Sequence, residues 1–177
     1  MVNKSQIKIV TATLTDYPII QNMARFYVYD LSRYCGFISS DWAMPEDGLY
    51  KSFDFQKYFE EHSHKSYLIK VGGELAGFVL LNQAGTNPKT NWNMGEFFII
   101  ARFQGKGIGK QVAQQIFDMY IGNWEVSVIP ENKSALGFWE KTVSAYNKGN
   151  FEREIKTISY DEHQPHRVIF SFETNGE

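Results

Sequence analysis

The glycine-rich run over residues 104–110, Gln-Gly-Lys-Gly-Ile-Gly-Lys, carries the clearest chemical signal in the chain. It follows an apolar stretch that predicts a strand over residues 97–100, and it opens into an amphipathic pattern typical of a helix. Glycines at a helix start leave successive backbone N–H groups unpaired, and the helix dipole adds partial positive charge. Since glycine has no Cβ, a phosphate can approach the backbone closely. The run therefore predicts a phosphate-binding loop over residues 105–109.

The glycine spacing excludes the two commonest nucleotide-binding loops. A Walker loop needs a glycine where this chain has Gln104, and Ser or Thr where it has Gln111. A dinucleotide-binding fingerprint that starts at Gly105 would require a third glycine at Lys110.

The spacing that fits is Arg/Gln-x-x-Gly-x-Gly/Ala, the pyrophosphate loop of the GNAT N-acetyltransferase superfamily. The chain resembles it in two overlapping registers, which begin at Arg102 and at Gln104. The sequence does not choose between these registers. The resemblance implies that the phosphates belong to acetyl-coenzyme A.

A second match follows the strand predicted over residues 124–129. GNAT members carry Asn-x-x-Ala after their fifth strand and then an aromatic pair, and this chain is similar, with Asn132, Ala135 and the pair Phe138-Trp139. Asn132 resembles the asparagine that contacts the cofactor arm. In front of a helix it also fits an N-cap, and the two roles are compatible.

The resemblance implies an α/β fold (an α+β mixed sheet) that is mostly antiparallel, with helices on both faces. A crossover helix between the strands at 97–100 and 124–129 makes those two strands parallel. In the superfamily this central pair splays apart, and the pantetheine arm of acetyl-CoA lies between its strands. The residues implied to bind the cofactor are Phe98, Ile99, Ile100, Gln104, Gly105, Lys106, Gly107, Ile108, Gly109, Asn132 and Trp139.

Acetyl transfer to an amine is helped by a base for the amine and an acid for the leaving thiolate. Glu96 is the candidate base, because superfamily members often place a carboxylate there; an ion-paired carboxylate at the sheet end is the alternative. Many relatives carry tyrosine where this chain has Trp139, whose indole N–H donates hydrogen bonds but has no usable acid pKa. Protonation would then fall to water or to another tyrosine, for which Tyr146 is the candidate.

The acceptor site is expected in the N-terminal third. Six acids between residues 38 and 61 alternate with aromatic residues, which predicts either a pocket for a cationic amine or a solvated acidic surface. These acids are Asp41, Glu46, Asp47, Asp54, Glu60 and Glu61. No metal site is expected, since the histidines lack a carboxylate or third ligand at metal spacing.

The composition argues against some classes of binding partner. The 177 residues suggest one domain, 1–177, and the net charge of −2 offers no basic field for nucleic acid or an anionic membrane. Cys35 is the single cysteine, which excludes an intramolecular disulfide. Without a signal peptide or membrane-length apolar segment the chain is expected to be cytoplasmic, and a homodimer is left open.

The elements that position these residues follow from periodicity and turn signals. Strands are predicted at 7–12, 67–71, 74–82, 97–100, 124–129, 151–160 and 167–172, and helices at about 15–32, 53–61, 108–120 and 135–143. The sequence therefore predicts an N-acetyltransferase that moves acetyl from acetyl-CoA to a small-molecule primary amine by direct attack in a ternary complex. A non-catalytic acyl-CoA-binding module and an enzyme for protein or peptide amines are the alternatives.

Overall fold

The computed structural model describes residues 6–175 of the chain. Its elements in chain order are β1 (Ile7–Thr11), α1 (Tyr17–Cys35), α2 (Lys57–Glu60), β2 (Lys65–Val71), β3 (Glu74–Asn82), β4 (Trp92–Ile99), α3 (Ile108–Met119), β5 (Gly122–Val128), α4 (Lys133–Tyr146), β6 (Glu152–Thr157) and β7 (His166–Thr174). Short 3₁₀ turns precede α1 and follow α1 and β4. The predicted order of elements is confirmed, with most ends shifted by a few residues.

Within the described residues the strands form one seven-stranded sheet in the order β1-β2-β3-β4-β5-β7-β6. Only β4 and β5 are parallel, and every other neighbouring pair is antiparallel. Helices α3 and α4 pack on one face of this sheet, and α1 and α2 pack on the other. We call these the α3–α4 face and the α1–α2 face. The predicted mixed sheet with helices on both faces and one parallel central pair is confirmed.

Helix α2 is much shorter than the sequence predicts. The helix expected over 53–61 spans only Lys57–Glu60, and the residues before it make tertiary contacts instead. Phe55 is buried in the core of the α1–α2 face. The Asp54 carboxylate accepts a hydrogen bond from the Gln56 backbone N–H (3.0 Å), a local turn that starts the helix late.

A β-bulge at Gly95 divides β4. In the ladder with β3, Leu80 lies opposite Glu96 while Leu81 lies opposite Met94, so Gly95 has no partner. A Cβ at Gly95 would collide with the Tyr58 hydroxyl, which explains the glycine. Because of the extra residue, Met94 packs in the core of the α3–α4 face, whereas Glu96 points to the α1–α2 face with its partner Leu80.

A buried carboxylate fixes the loop between β3 and β4. Glu125 is 2% exposed and accepts hydrogen bonds from the backbone N–H groups of Thr86 (2.7 Å) and Asn87 (2.9 Å) and from the hydroxyls of Thr86 and Thr90. Burial opposes ionisation of Glu125, but these bonds outweigh it, and its pKa lies below the usual value.

We expect Glu125→Gln to lower the free energy of unfolding by about 2 kcal/mol, because an amide NH₂ group would face the same donors. Urea unfolding at neutral pH measures the change. Glu152→Gln, an exposed substitution on the neighbouring strand β6, is the control. Equal stabilities of the two variants would contradict this role of Glu125.

Candidate active site

The parallel strands β4 and β5 separate after three residues. Pairing is limited to Trp92–Met94 with Trp124–Val126, whereas β5 remains paired to β7 up to Val128. The backbone of β4 beyond the bulge therefore has an edge that no strand covers. Such an edge offers N–H and C=O groups to an extended ligand.

The direction of each backbone group refines the predicted set. The Ile100 N–H donates to the Ala76 carbonyl oxygen near β3 (2.8 Å). Since successive residues of a strand present their backbone groups to opposite sides, Phe98 also faces β3, and Ile99 faces the gap. Of the three residues predicted to bind the cofactor through their backbone, the structure thus directs only Ile99 towards the gap.

The loop after β4 has the conformation expected of a phosphate cradle. Gly105 and Gly107 have φ angles of 71° and 75°, in the left-handed region, and Gly107 directly precedes α3. Within residues 6–175, the N–H groups of Gly105, Lys106 and Gly107 make no backbone hydrogen bond. These groups, together with the start of α3 at Ile108, form a concave set of donors.

Two side chains of the loop fold back onto it. Gln104 Nε2 donates to the Ile99 carbonyl oxygen (2.7 Å), and Lys106 Nζ donates to the Arg102 carbonyl oxygen. Gln104 therefore ties the loop to the end of β4. In the described part of the chain, the backbone N–H groups of residues 105–107 make no backbone hydrogen bond and are available to a phosphate.

Helix α4 closes the α3–α4 side of the gap with aromatic rings. The Phe97 ring lies 5.8 Å from that of Phe138 and 5.0 Å from that of Trp139, measured between centroids. A Cβ at Gly109 would lie 3.2 Å from the Phe138 ring, so α3 and α4 approach closely there. Trp139 is only 6% exposed, which makes it a core residue beneath β4.

Asn132 occupies the N-cap position of α4. Its Oδ1 accepts a hydrogen bond from the Ala135 backbone N–H (3.0 Å). The capping role allowed by the sequence is thus present, and the side-chain NH₂ group makes no hydrogen bond within the described residues. This donor is left for a ligand in the gap.

Tyr146 lies away from the other candidates. Its hydroxyl donates to Asp118 (2.8 Å), and its ring packs against Phe117 and Phe172 on the α3–α4 face. It ends α4, two turns beyond Trp139, which is about 10 Å along the helix axis. Because Glu96 points to the opposite face of the sheet, the geometry does not support Tyr146 as the acid.

Glu96 is a largely buried carboxylate on the α1–α2 face, with a small exposed part. Burial raises the pKa of Glu96 to about 7, although a hydrogen bond from Tyr27 and the charge of Lys57 act in the opposite direction. Burial and the Glu96 charge together raise the pKa of Tyr27 well above its usual value. Near neutral pH, Glu96 can therefore accept a proton while Tyr27 keeps its own.

Aromatic side chains surround Glu96. The ring of Tyr27 lies 5.6 Å from Phe98, 6.1 Å from Phe78 and 6.2 Å from Phe53. The Tyr58 hydroxyl accepts a hydrogen bond from Asn82 Nδ2 (2.8 Å) beside the bulge. The sequence analysis did not identify Tyr58, because its hydroxyl reaches β4 only through the bulge at Gly95. The apolar spacing of α1 was the sequence signal that could have placed Tyr27 on the buried side of that helix.

Comparison with known families decides what this arrangement is. A model described as "Acetyltransferase (GNAT) family" matches residues 26–144, a span that contains Tyr27, Glu96, the glycine loop and Trp139. The chain belongs to the GNAT acetyltransferase family. It is accordingly an acetyl-CoA-dependent acyltransferase, and the resemblance seen in the sequence is confirmed.

Solved GNAT structures share the fold at low sequence identity. An acetyltransferase from Thermus thermophilus has a TM-score of 0.64 at 15% identity, covering 96% of this chain and 97% of that one. The ribosomal-protein-S18-alanine N-acetyltransferase from Escherichia coli has a TM-score of 0.59 at 14% identity, covering 97% of each chain. A GNAT acetyltransferase from Elizabethkingia anophelis with acetyl-CoA bound has 0.53 at 14%, covering 96% and 99%. No curated protein matches the chain in sequence.

Among residues 6–175, no helix is long and apolar enough to cross a membrane. The same part of the chain holds no cluster of three or more His, Cys, Asp or Glu side chains placed to bind a metal ion.

Proposed function

We propose that this GNAT enzyme transfers the acetyl group of acetyl-CoA to the primary amine of a small molecule by direct attack in a ternary complex, with Glu96 as the base. The observation that carries the proposal is the position of Glu96. It is a largely buried carboxylate with a pKa of about 7, located just beyond the point where β4 leaves β5.

The donor side of the site fits coenzyme A. The free N–H groups of residues 105–107 and the start of α3 would hold the pyrophosphate. The Ile99 N–H and the Asn132 NH₂ group would bind amides of the pantetheine arm. Trp139 supports β4 from below, through Phe97, rather than contacting substrate. Acetyl-CoA supplies the thioester that the amine attacks.

Glu96 would remove the proton that stops an ammonium from attacking. An ordinary carboxylate is too weak a base for this task near pH 7. The raised pKa of Glu96 reduces the difference between its pKa and that of the ammonium. Tyr27 lies close enough to the carboxylate that each group shifts the pKa of the other, so it would help to position Glu96. Neither Trp139 nor Tyr146 fits the acid, so the leaving thiolate would take its proton from water. Positioning of amine and thioester supplies much of the acceleration.

The wall of the site favours a small acceptor. Phe53 and Trp42 pack together at 6.5 Å in the segment after α1, and Trp42 Nε1 donates to Gln164 (3.1 Å) in the β6–β7 turn. These contacts join the two segments beside Glu96. Among the structures that share the fold, the S18-alanine enzyme and a ribosomal L7/L12 α-N-protein acetyltransferase are named for protein acceptors, so peptides belong in the test.

A pH profile tests the role of Glu96. We expect kcat/KM for acetyl transfer to rise about tenfold per pH unit below pH 7 and to level off above it, because only ionised Glu96 accepts a proton. Thiol release with an amine panel measures the rate, and deprotonation of the amine itself is corrected with amines of different pKa. Identical profiles for the wild type and Glu96→Gln would contradict the proposal. Acetyl-CoA binding without thiol release from any amine or peptide would favour a non-catalytic module.

A further inference from the structure

We infer that the acceptor is a monoamine with an apolar or aromatic body, and that polyamines and aminoglycosides are poor acceptors. The inference rests on the proposed function and assigns the substrate class for the same site. It follows from where the structure places the negative charges and the aromatic rings around Glu96.

All six acidic residues of 38–61 lie on the solvent-exposed surface. Asp54 accepts hydrogen bonds from the Tyr17 hydroxyl (3.0 Å) and from a backbone N–H group, and Glu61 pairs with His64 (3.1 Å). The solvated acidic surface, one of the two interpretations left open by the sequence, is therefore the one observed. It does not provide a row of carboxylates for several ammonium groups.

Inside the site, Glu96 is the carboxylate that can receive an ammonium. The charged group that acts on it is Lys57, which is itself exposed. Asp30, a partly buried acid on α1, has the charge of Arg33 one turn later acting on it, and Asp161 on the β6–β7 turn pairs with Arg167 (2.7 Å). A second ammonium in the site would lose its hydration without gaining a partner, which is costly.

Aromatic rings provide the remaining surface. Phe53 is 39% exposed at the mouth and contacts Tyr27 and Phe55. Binding is favoured when the apolar part of a substrate covers these rings, and the ring faces attract an ammonium that lies near Glu96. A hydrophilic acceptor gains only from the attraction of its cation to the rings.

The experiment compares kcat/KM for 2-phenylethylamine, butylamine, ethanolamine, spermidine and kanamycin by thiol release at saturating acetyl-CoA. We expect 2-phenylethylamine to exceed ethanolamine, spermidine and kanamycin by at least about tenfold, with butylamine in between. Phe53→Ala should raise KM for 2-phenylethylamine about tenfold and KM for ethanolamine by less than about twofold. Phe53→Leu, which keeps apolar bulk without the ring, should fall between the wild type and Phe53→Ala.

Phe26→Ala is the matched control, because Phe26 is 62% exposed on α1 and makes no ring contact within the described residues. It should leave every KM unchanged. A higher kcat/KM for spermidine or kanamycin, or equal effects of Phe53→Ala and Phe26→Ala, would overturn the inference and leave acetyl transfer standing. Absence of thiol release from all five amines by a protein that binds acetyl-CoA would overturn the proposed function as well.

Discussion

Replacement of Glu96 by glutamine is expected to lower kcat/KM by about 10²–10⁴-fold, the usual contribution of a positioned general base. Glutamine has nearly the same shape, but it cannot take a proton. Affinity for acetyl-CoA should not change, because the loop over 105–107 and the edge of β4 are untouched. Thiol release and calorimetric titration with acetyl-CoA measure the two quantities separately.

The same substitution should stabilise the folded protein at high pH. The pKa of Glu96 is raised in the fold from 4.5 to about 7, so the native state holds this proton more tightly than the unfolded chain. Stability is therefore lost as pH rises from about 4.5 through 7, by at most about 3 kcal/mol. Glu96→Gln removes that loss. Its melting temperature should exceed that of the wild type at pH 8, and the gain should vanish near pH 4.

Glu60→Gln is the control for both measurements, since Glu60 is an exposed acid on α2 that the site does not use. It should keep full activity and the melting temperature of the wild type. Full activity in Glu96→Gln, with the expected gain in stability, would mean that Glu96 is a buried acid without a role in proton transfer.

Gly107→Val is expected to weaken acetyl-CoA binding on the order of 100-fold. A β-branched residue is strongly disfavoured at a φ of 75°, so the loop must change its backbone to accept valine. That change redirects the N–H groups that would face the pyrophosphate. Calorimetric titration with acetyl-CoA and with free CoA should show the same loss, because both carry the pyrophosphate.

Gly149→Val is the control that distinguishes the effect of backbone strain on stability from the loss of acetyl-CoA binding. Gly149 has a φ of 82° in the turn after α4, and a Cβ there meets no atom within 4 Å. Both variants should lose about 1–2 kcal/mol of stability from backbone strain. Only Gly107→Val should lose cofactor affinity. Equal affinities in the two variants would show that the loop does not hold the phosphates.

The conformation of the glycine loop and its flanking elements was predictable because its signals are local. A strand, glycines with positive φ and an amphipathic helix follow one another between Phe97 and Met119, and each is written in adjacent residues. The N-cap role of Asn132 is likewise local, because its hydrogen bond is to Ala135, three residues later in the chain. Even here, the inward turn of Gln104 towards Ile99 depends on the loop's final geometry. The sequence alone could not distinguish a side chain that contacts phosphate from one that ties the loop.

The acceptor side depends on contacts between distant segments. The start of α2 is displaced because Phe55 is buried against α1 and the sheet, which local helix propensity does not report. Tyr58 reaches the backbone of β4 only because Gly95 makes room for its hydroxyl. The Tyr146 hydroxyl could donate a proton, but Tyr146 lies at the C-terminal end of α4, on the opposite face of the sheet from Glu96. These outcomes follow from packing rather than from the local pattern.

The bulge at Gly95 makes β4 two short strands that are out of phase by one residue. In an unbroken ladder Met94 and Glu96 would share a face, and either the carboxylate would enter the apolar core or the methionine would enter the site. Because of this shift, Met94 before the bulge packs into the apolar core, while Glu96 after the bulge points to the α1–α2 face, where the proposed chemistry takes place. Substitutions on one side of Gly95 can therefore accumulate without changing which way the side chains on the other side point.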